Sequence, residues 1–299
     1  MQNSTELNNK LQTNRNHLTM QQQRTFYNNI LPLNTEEHKD LRLKIDNNFS
    51  IFSNTNALPI AGVEFIEASR EHAIAFINYQ DEGIIPVYIL GLRDNENLLL
   101  DDNNNWKYRY VPAFVRRYPY IMVEPDKDGK SVVCIDADYE GINDPKGELI
   151  FTQKDGETKP TERLEAAMDM LKDFNAQLTR TREFTKRLEE FNLLKEISPQ
   201  INLADGREFS IGGIYTVDEE KLLKLEDKKA LTLYRSGEMA WIYNHLASIS
   251  NLIRLAEHLP ADAKAPNKKE KSIKKTNGTK KVTSIKKKKV TKKDKETLH

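Results

Sequence analysis

The chain of 299 residues has a single cysteine, Cys134, so an internal disulfide is excluded and a reducing compartment is expected. No apolar run approaches the roughly 18 residues a bilayer span requires, and mean hydropathy is −0.70, so no membrane span is expected. The N-terminus is polar and lacks a basic start followed by an apolar stretch. No secretory signal is expected, and the cytoplasm is the expected location. Six histidines (His17, His38, His72, His245, His258 and His299) form no His-x-His or HExxH spacing, so no metal site is drawn. Ser236-Gly237 and Gly212-Gly213 match no nucleophile elbow or phosphate loop, and no dinucleotide fingerprint occurs, so no cofactor is expected. Cys134 lies in an apolar strand-like run, where thiols are usually inert.

The formal net charge of +1 conceals an asymmetry. Residues 261–299 hold 15 lysines and 4 acids; the rest holds 31 Lys+Arg against 41 Asp+Glu. The chain is an acidic body with a basic tail. Residues 1–25 include ten Asn or Gln and few apolar side chains, a composition that cannot offset its ordering entropy. They are expected to be a disordered leader. The tail 261–299 has no aromatic residue and contains the run Lys286, Lys287, Lys288, Lys289. It is expected to be a solvated, disordered arm whose lysines offer salt-sensitive contact to a polyanion. Without interleaved aromatics, base stacking is not supported.

Residues 26–260 are the expected folded body, an α+β unit. The first half reads as strand-rich, with a mixed or antiparallel sheet. A capping-box-like pair, Asn34 and Glu37, predicts a short helix ending near Leu43. Runs at 74–77 and 84–90 read as strands, and Pro86 places its part of the second at an edge or bulge. Asp128-Gly129 predicts a hairpin between 120–123 and 132–135. The second half reads as helix-rich. Ala167, Leu171, Phe174, Leu178, Thr181, Thr185 and Leu188 fall four and three apart, predicting one long helix over 161–191 capped by Thr161. Asp205-Gly206 predicts a second hairpin, and two helices follow over 218–235. A last helix is predicted over 239–259, with Met239, Ile242, Leu246, Ile249, Ile253 and Ala256 as its main stripe. Trp241, Leu252, Leu255 and Leu259 lie off that stripe, so the helix packs between partners or against a second copy, which leaves a homo-oligomer open.

Three places carry candidate chemistry. Residues 109–120 concentrate three arginines and three tyrosines in twelve positions. Arginine forks carboxylates and phosphates, and tyrosine adds a rigid face with a hydroxyl. Arg109, Tyr110, Arg116, Arg117 and Tyr118 are therefore ligand-binding candidates for an anion or a sugar, against the plainer reading that the rings pack and the arginines pair with acids. Asp136-Ala-Asp138-Tyr-Glu140-Gly141 opens like a calcium loop but has Gly147 where the loop needs glutamate. Asp136 and Asp138 stay as ligand candidates, with the closing of a strand end as the simpler reading. His245 sits beside the apolar stripe of the last helix, where a satisfied histidine is commoner than a catalytic one.

The body resembles the SapC-like family of bacterial proteins. The resemblance is carried by PLNTEEHKDLRLK (32–44), VEFIEAS (63–69), IPVYILGLRDNENLLLD (85–101), YVPAFVRRYPYIM (110–122), CIDAD (134–138), LADGREFSIGGIYTVDEEKL (203–222) and the Ser-Gly…Tyr-x-His-Leu-x-Ser-x-x-Asn-Leu stretch (236–252). It departs at Glu71-His72-Ala73, and the lysine tail lies outside it. The resemblance implies a part in forming or exporting a bacterial surface layer (S-layer), with surface-layer or secretion components as partners. It brings no catalytic residues. The permease label some members carry conflicts with the missing span, and cell-surface placement would need a signal-less route. The preferred reading is a non-catalytic accessory or binding protein. One rival is an enzyme, or an enzyme accessory, modifying peptides or sugars in a pocket of Arg109, Arg116, Arg117, Tyr118 and Asp136. The other is a nucleic-acid-associated protein acting through its tail.

Overall fold

A computed structural model describes residues 26–79, 83–123, 131–203 and 205–260. The leader 1–25, the tail 261–299 with its Lys286–Lys289 run, and the Asp128-Gly129 turn lie outside the described residues. The first half carries strands β1 (Ile30–Pro32), β2 (Arg42–Leu43), β3 (Ala57–Pro59), β4 (Ile74–Asn78), β5 (Ile84–Ile89), β6 (Tyr120–Val123) and β7 (Val132–Asp136). Two one-turn helices, α1 (Phe65–Ala68) and α2 (Ala113–Arg116), interrupt them. Short strands β8 (Glu148–Leu149), β9 (Phe151–Lys154) and β10 (Glu157–Pro160) lead into α3 (Glu162–Glu190). Then come β11 (Leu194–Ile197), β12 (Gln200–Asn202), β13 (Glu208–Ser210) and β14 (Ile214–Val217). Helices α4 (Glu219–Leu223), α5 (Asp227–Arg235), α6 (Glu238–Ser248) and α7 (Asn251–Glu257) close the fold. The α+β class and the single long helix are as the sequence predicts.

Every strand pair described is antiparallel. The main sheet runs β11-β14-β4-β5-β3, and a second runs β1-β7-β6. Along β6, Tyr120 and Met122 face one apolar core while Ile121 faces another, the two-residue period of a strand covered on both sides. Helix α3 joins the two halves. Its first turns bury Leu164 and Leu171 in the core under β6; its later turns bury Phe174, Leu178, Phe184 and Leu188 against the main sheet. Thr161 caps it, accepting from the Leu164 N–H at 3.5 Å. At 29 residues the helix is about 44 Å long, enough to span both cores. Each of those large apolar side chains contributes about 1.5–3 kcal/mol on burial.

Three local expectations are corrected. Residues 34–43 form turns, and Arg42–Leu43 is a strand paired with β8. Asn34 Oδ1 accepts from the Glu36 N–H at 2.8 Å, which closes a local turn in place of a helix cap. Pro86 lies in β5, an interior strand. Its carbonyl accepts from the Ile60 N–H at 3.3 Å, so its missing N–H points past the end of β3 and costs no bond to β4. The last helix is two. Its buried face is Trp241, Ile242, His245, Ser248, Leu252, Leu255, Ala256 and Leu259, while Ile253 of the expected stripe is 52% exposed.

Candidate functional site

The register of β1 on β7 lays residues 28–29 against the end of β7. Asp136, fully buried, accepts there from the N–H groups of Asn28 at 3.1 Å and Asn29 at 3.0 Å. It accepts further from the Asp138 N–H at 3.3 Å and the Tyr118 hydroxyl at 3.4 Å. Asp138 takes the Asn29 side-chain amide at 3.2 Å. The Asp-Ala-Asp sequence is thus a clasp for the segment entering β1. Among the described residues no group of three or more His, Cys, Asp or Glu side chains is arranged to hold a metal ion.

Beside the clasp opens a cleft of about 220 Å³. Its walls bring together Asp46, Asp138 and Glu140, the amides Asn28 and Asn48, and the rings of Tyr118 and Tyr139. The two rings stand perpendicular, 5.3 Å between centroids. The Tyr139 hydroxyl donates to Asp46 at 3.2 Å and accepts the Asp46 N–H at 3.1 Å. Burial, reinforced by Asp136, pushes the Tyr118 phenol pKa up; burial does the same to Tyr139. Both therefore act as neutral hydroxyls.

The arginines do not gather with them. Arg109 is exposed. Arg116, also exposed, donates from Nε to the Val111 carbonyl at 2.9 Å and stands beside Tyr110. Tyr110 donates its hydroxyl to Glu64 at 2.6 Å, and burial followed by Glu64 raises its pKa. Arg117 turns inward at 2% exposure, its guanidinium 4.1 Å above the Phe114 ring and 5.4 Å from Phe174. Burial pushes its pKa below the usual guanidinium value. The structure therefore divides the segment 109–120 between a surface, a buried ring stack and the cleft wall.

A family model described as SapC matches residues 33–255, about three quarters of the chain. The chain belongs to the SapC family. No curated protein and no solved structure is significantly similar to it. The SapC region includes the cleft acids and both tyrosines, whereas Asn28 and β1 lie before it. One side of the clasp is thus outside the SapC match.

Also within the SapC region, His245 lies wholly inside the fold, away from the cleft wall. Its Nδ1 meets the Ile74 carbonyl at 2.9 Å, and its Nε2 meets the Val217 N–H at 3.2 Å and the Thr216 hydroxyl at 2.9 Å. Sequence reasoning missed a second polar cluster formed by Glu64, Glu71, His72, Tyr88, Tyr108 and His258. Its members come from the stretch 64–72 and from three places well beyond it, at 88, 108 and 258, so no spacing signals it. Glu64, 7% exposed, accepts from the Ala61 N–H at 3.0 Å and the Ala113 N–H at 2.7 Å besides Tyr110. No helix among the described residues is long and apolar enough to cross a membrane.

Proposed function

We propose that the chain acts as a non-catalytic accessory or binding protein in the formation or export of a bacterial surface layer, from the cytoplasm. Membership in the SapC family across 33–255 carries the reading. The placement of the polar groups supports the binding role. Asp136, Glu64 and His245 are each engaged by backbone donors or acceptors, while the open cleft offers carboxylates, amides and tyrosine faces. Three carboxylates at its rim disfavour an anion, so the cleft suits a hydroxyl-rich or cationic group of the partner.

The test is capture from the native host under mild lysis, with the full chain as bait. Surface-layer or secretion components are expected to co-purify with the natural sequence and to fall at least several-fold with Asp46→Asn, Asp138→Asn and Glu140→Gln combined. Recovery of no such component overturns the reading. Equal recovery by the triple variant overturns the cleft as the contact.

A further inference from the structure

We propose that Glu71, His72 and Tyr88 hold one internal water molecule, in a hydration site separate from the cleft. Tyr88 stands on β5 with no exposed surface, and its hydroxyl has no hydrogen-bond partner among the described residues. His72, between α1 and β4, is 3% exposed, and its Nε2 has none either. The two rings pack together at 4.9 Å between centroids, so both orphaned groups belong to one small region. Buried polar atoms in folded proteins are satisfied by protein or by ordered water.

Glu71 supplies the third partner. Its Oε2 is 3.9 Å from His72 Nε2, too far for a direct hydrogen bond. A water about 2.8 Å from both atoms would subtend roughly 90° between them, within the bonding range of a water oxygen. That Oε2 already accepts the Tyr110 N–H at 3.1 Å and has a further lone pair to offer. Water donates to the carboxylate, donates to or accepts from Nε2 according to tautomer, and accepts from the Tyr88 hydroxyl. Three polar partners are within the usual number for a buried water. The Tyr108 ring closes on His72 at 4.1 Å between centroids, edge to face, and walls the site on that side. Glu71, 28% exposed, gives the site its connection to solvent.

Two measurements test this on the full chain. A crystal structure that resolves ordered solvent is expected to show one water within hydrogen-bond distance of His72 Nε2 and the Tyr88 hydroxyl. Empty density there, or density for a larger ligand, overturns the proposal. Thermal unfolding of Tyr88→Phe gives a sign. If water is bound, deleting the hydroxyl removes one of its partners and Tm falls by about 2–4 °C. If the hydroxyl is truly orphaned, deleting it raises Tm, and the proposal fails. Tyr108→Phe, which loses a direct bond to His258, calibrates the size of such a fall.

Discussion

His245 and His72 are the same residue type in nearly the same degree of burial, at 0% and 3% exposure, yet their surroundings differ in kind. His245 projects from α6 onto the main sheet and joins two of its strands. The Ile74 carbonyl on β4 can only accept, so Nδ1 carries the proton. The Val217 N–H on β14 can only donate, so Nε2 accepts. The ring is a neutral brace between strands, its tautomer set by the backbone. His72 has aromatic walls and an Nε2 with no protein partner among the described residues. Burial alone does not distinguish a brace from an open valence; the partner inventory does.

Acid is expected to give the largest effect, because it acts on both histidines. Burial pushes the His245 pKa down to about 4 and, with repulsion from His258, that of His72 to about 3. Both folded values lie below the ordinary 6.5. The unfolded chain therefore takes up protons first as pH falls. Stability is full above pH 6.5, declines below it and loses the whole contribution once pH passes about 3. The loss is on the order of 3 kcal/mol or more per histidine. Urea unfolding at pH 7.5, 5.5 and 4.5 follows the first part of that decline, and a flat profile would mean that neither ring is held neutral.

His245→Leu separates the two sites. Leucine keeps the bulk but strands the Val217 N–H and leaves the Ile74 carbonyl only the Ser248 hydroxyl at 3.4 Å. The expected cost is about 3 kcal/mol by urea unfolding at pH 7.5. The acid slope of this variant should shrink to the part that His72 supplies. An unchanged slope would mean that His245 does not titrate with unfolding, and the contrast between the two residues would collapse.

The same contrast governs how much of the molecule the sequence discloses. Helix α3 is legible because its buried residues repeat at four and three, and Thr161 marks its start. The break between α6 and α7 and the true buried face are not legible. That face is centred on His245 and Ser248, polar residues whose partner is Ile74, 171 and 174 positions away. Ser248 Oγ accepts the Ile74 N–H at 3.0 Å and donates to the His245 carbonyl at 2.7 Å, using a helix acceptor just where the helix stops. A count of apolar residues passes over both. At the candidate site, the nearness of Tyr118 to Asp136 follows from the hairpin that the sequence predicts between 120–123 and 132–135, whose register sets Tyr120 against Ile135. The inward turn of Arg117 does not, because nothing local marks an arginine as the lid of a ring stack.

The smallest effects come from two glycines, and they ask whether packing or hydrogen bonding holds α6. Gly62 donates its N–H to Thr181 at 2.8 Å, and a Cβ placed on it would lie 2.3 Å from the Trp241 ring. That ring is itself confined by Phe184 at 5.3 Å, Phe65 at 6.3 Å and the Arg180 guanidinium at 4.5 Å. Gly62→Ala should therefore cost about 2 kcal/mol through overpacking. Gly156, in the β9–β10 turn, has φ +82° and nothing within 4 Å of such a Cβ. Gly156→Ala should cost about 1 kcal/mol from backbone strain alone. Trp241 and His245 sit one turn apart on the buried face of α6. If Gly62→Ala proves as costly as His245→Leu, the helix is held on the sheet chiefly by its packed ring. If it costs only as much as Gly156→Ala, the ring yields, and the histidine brace is what fixes α6 in place.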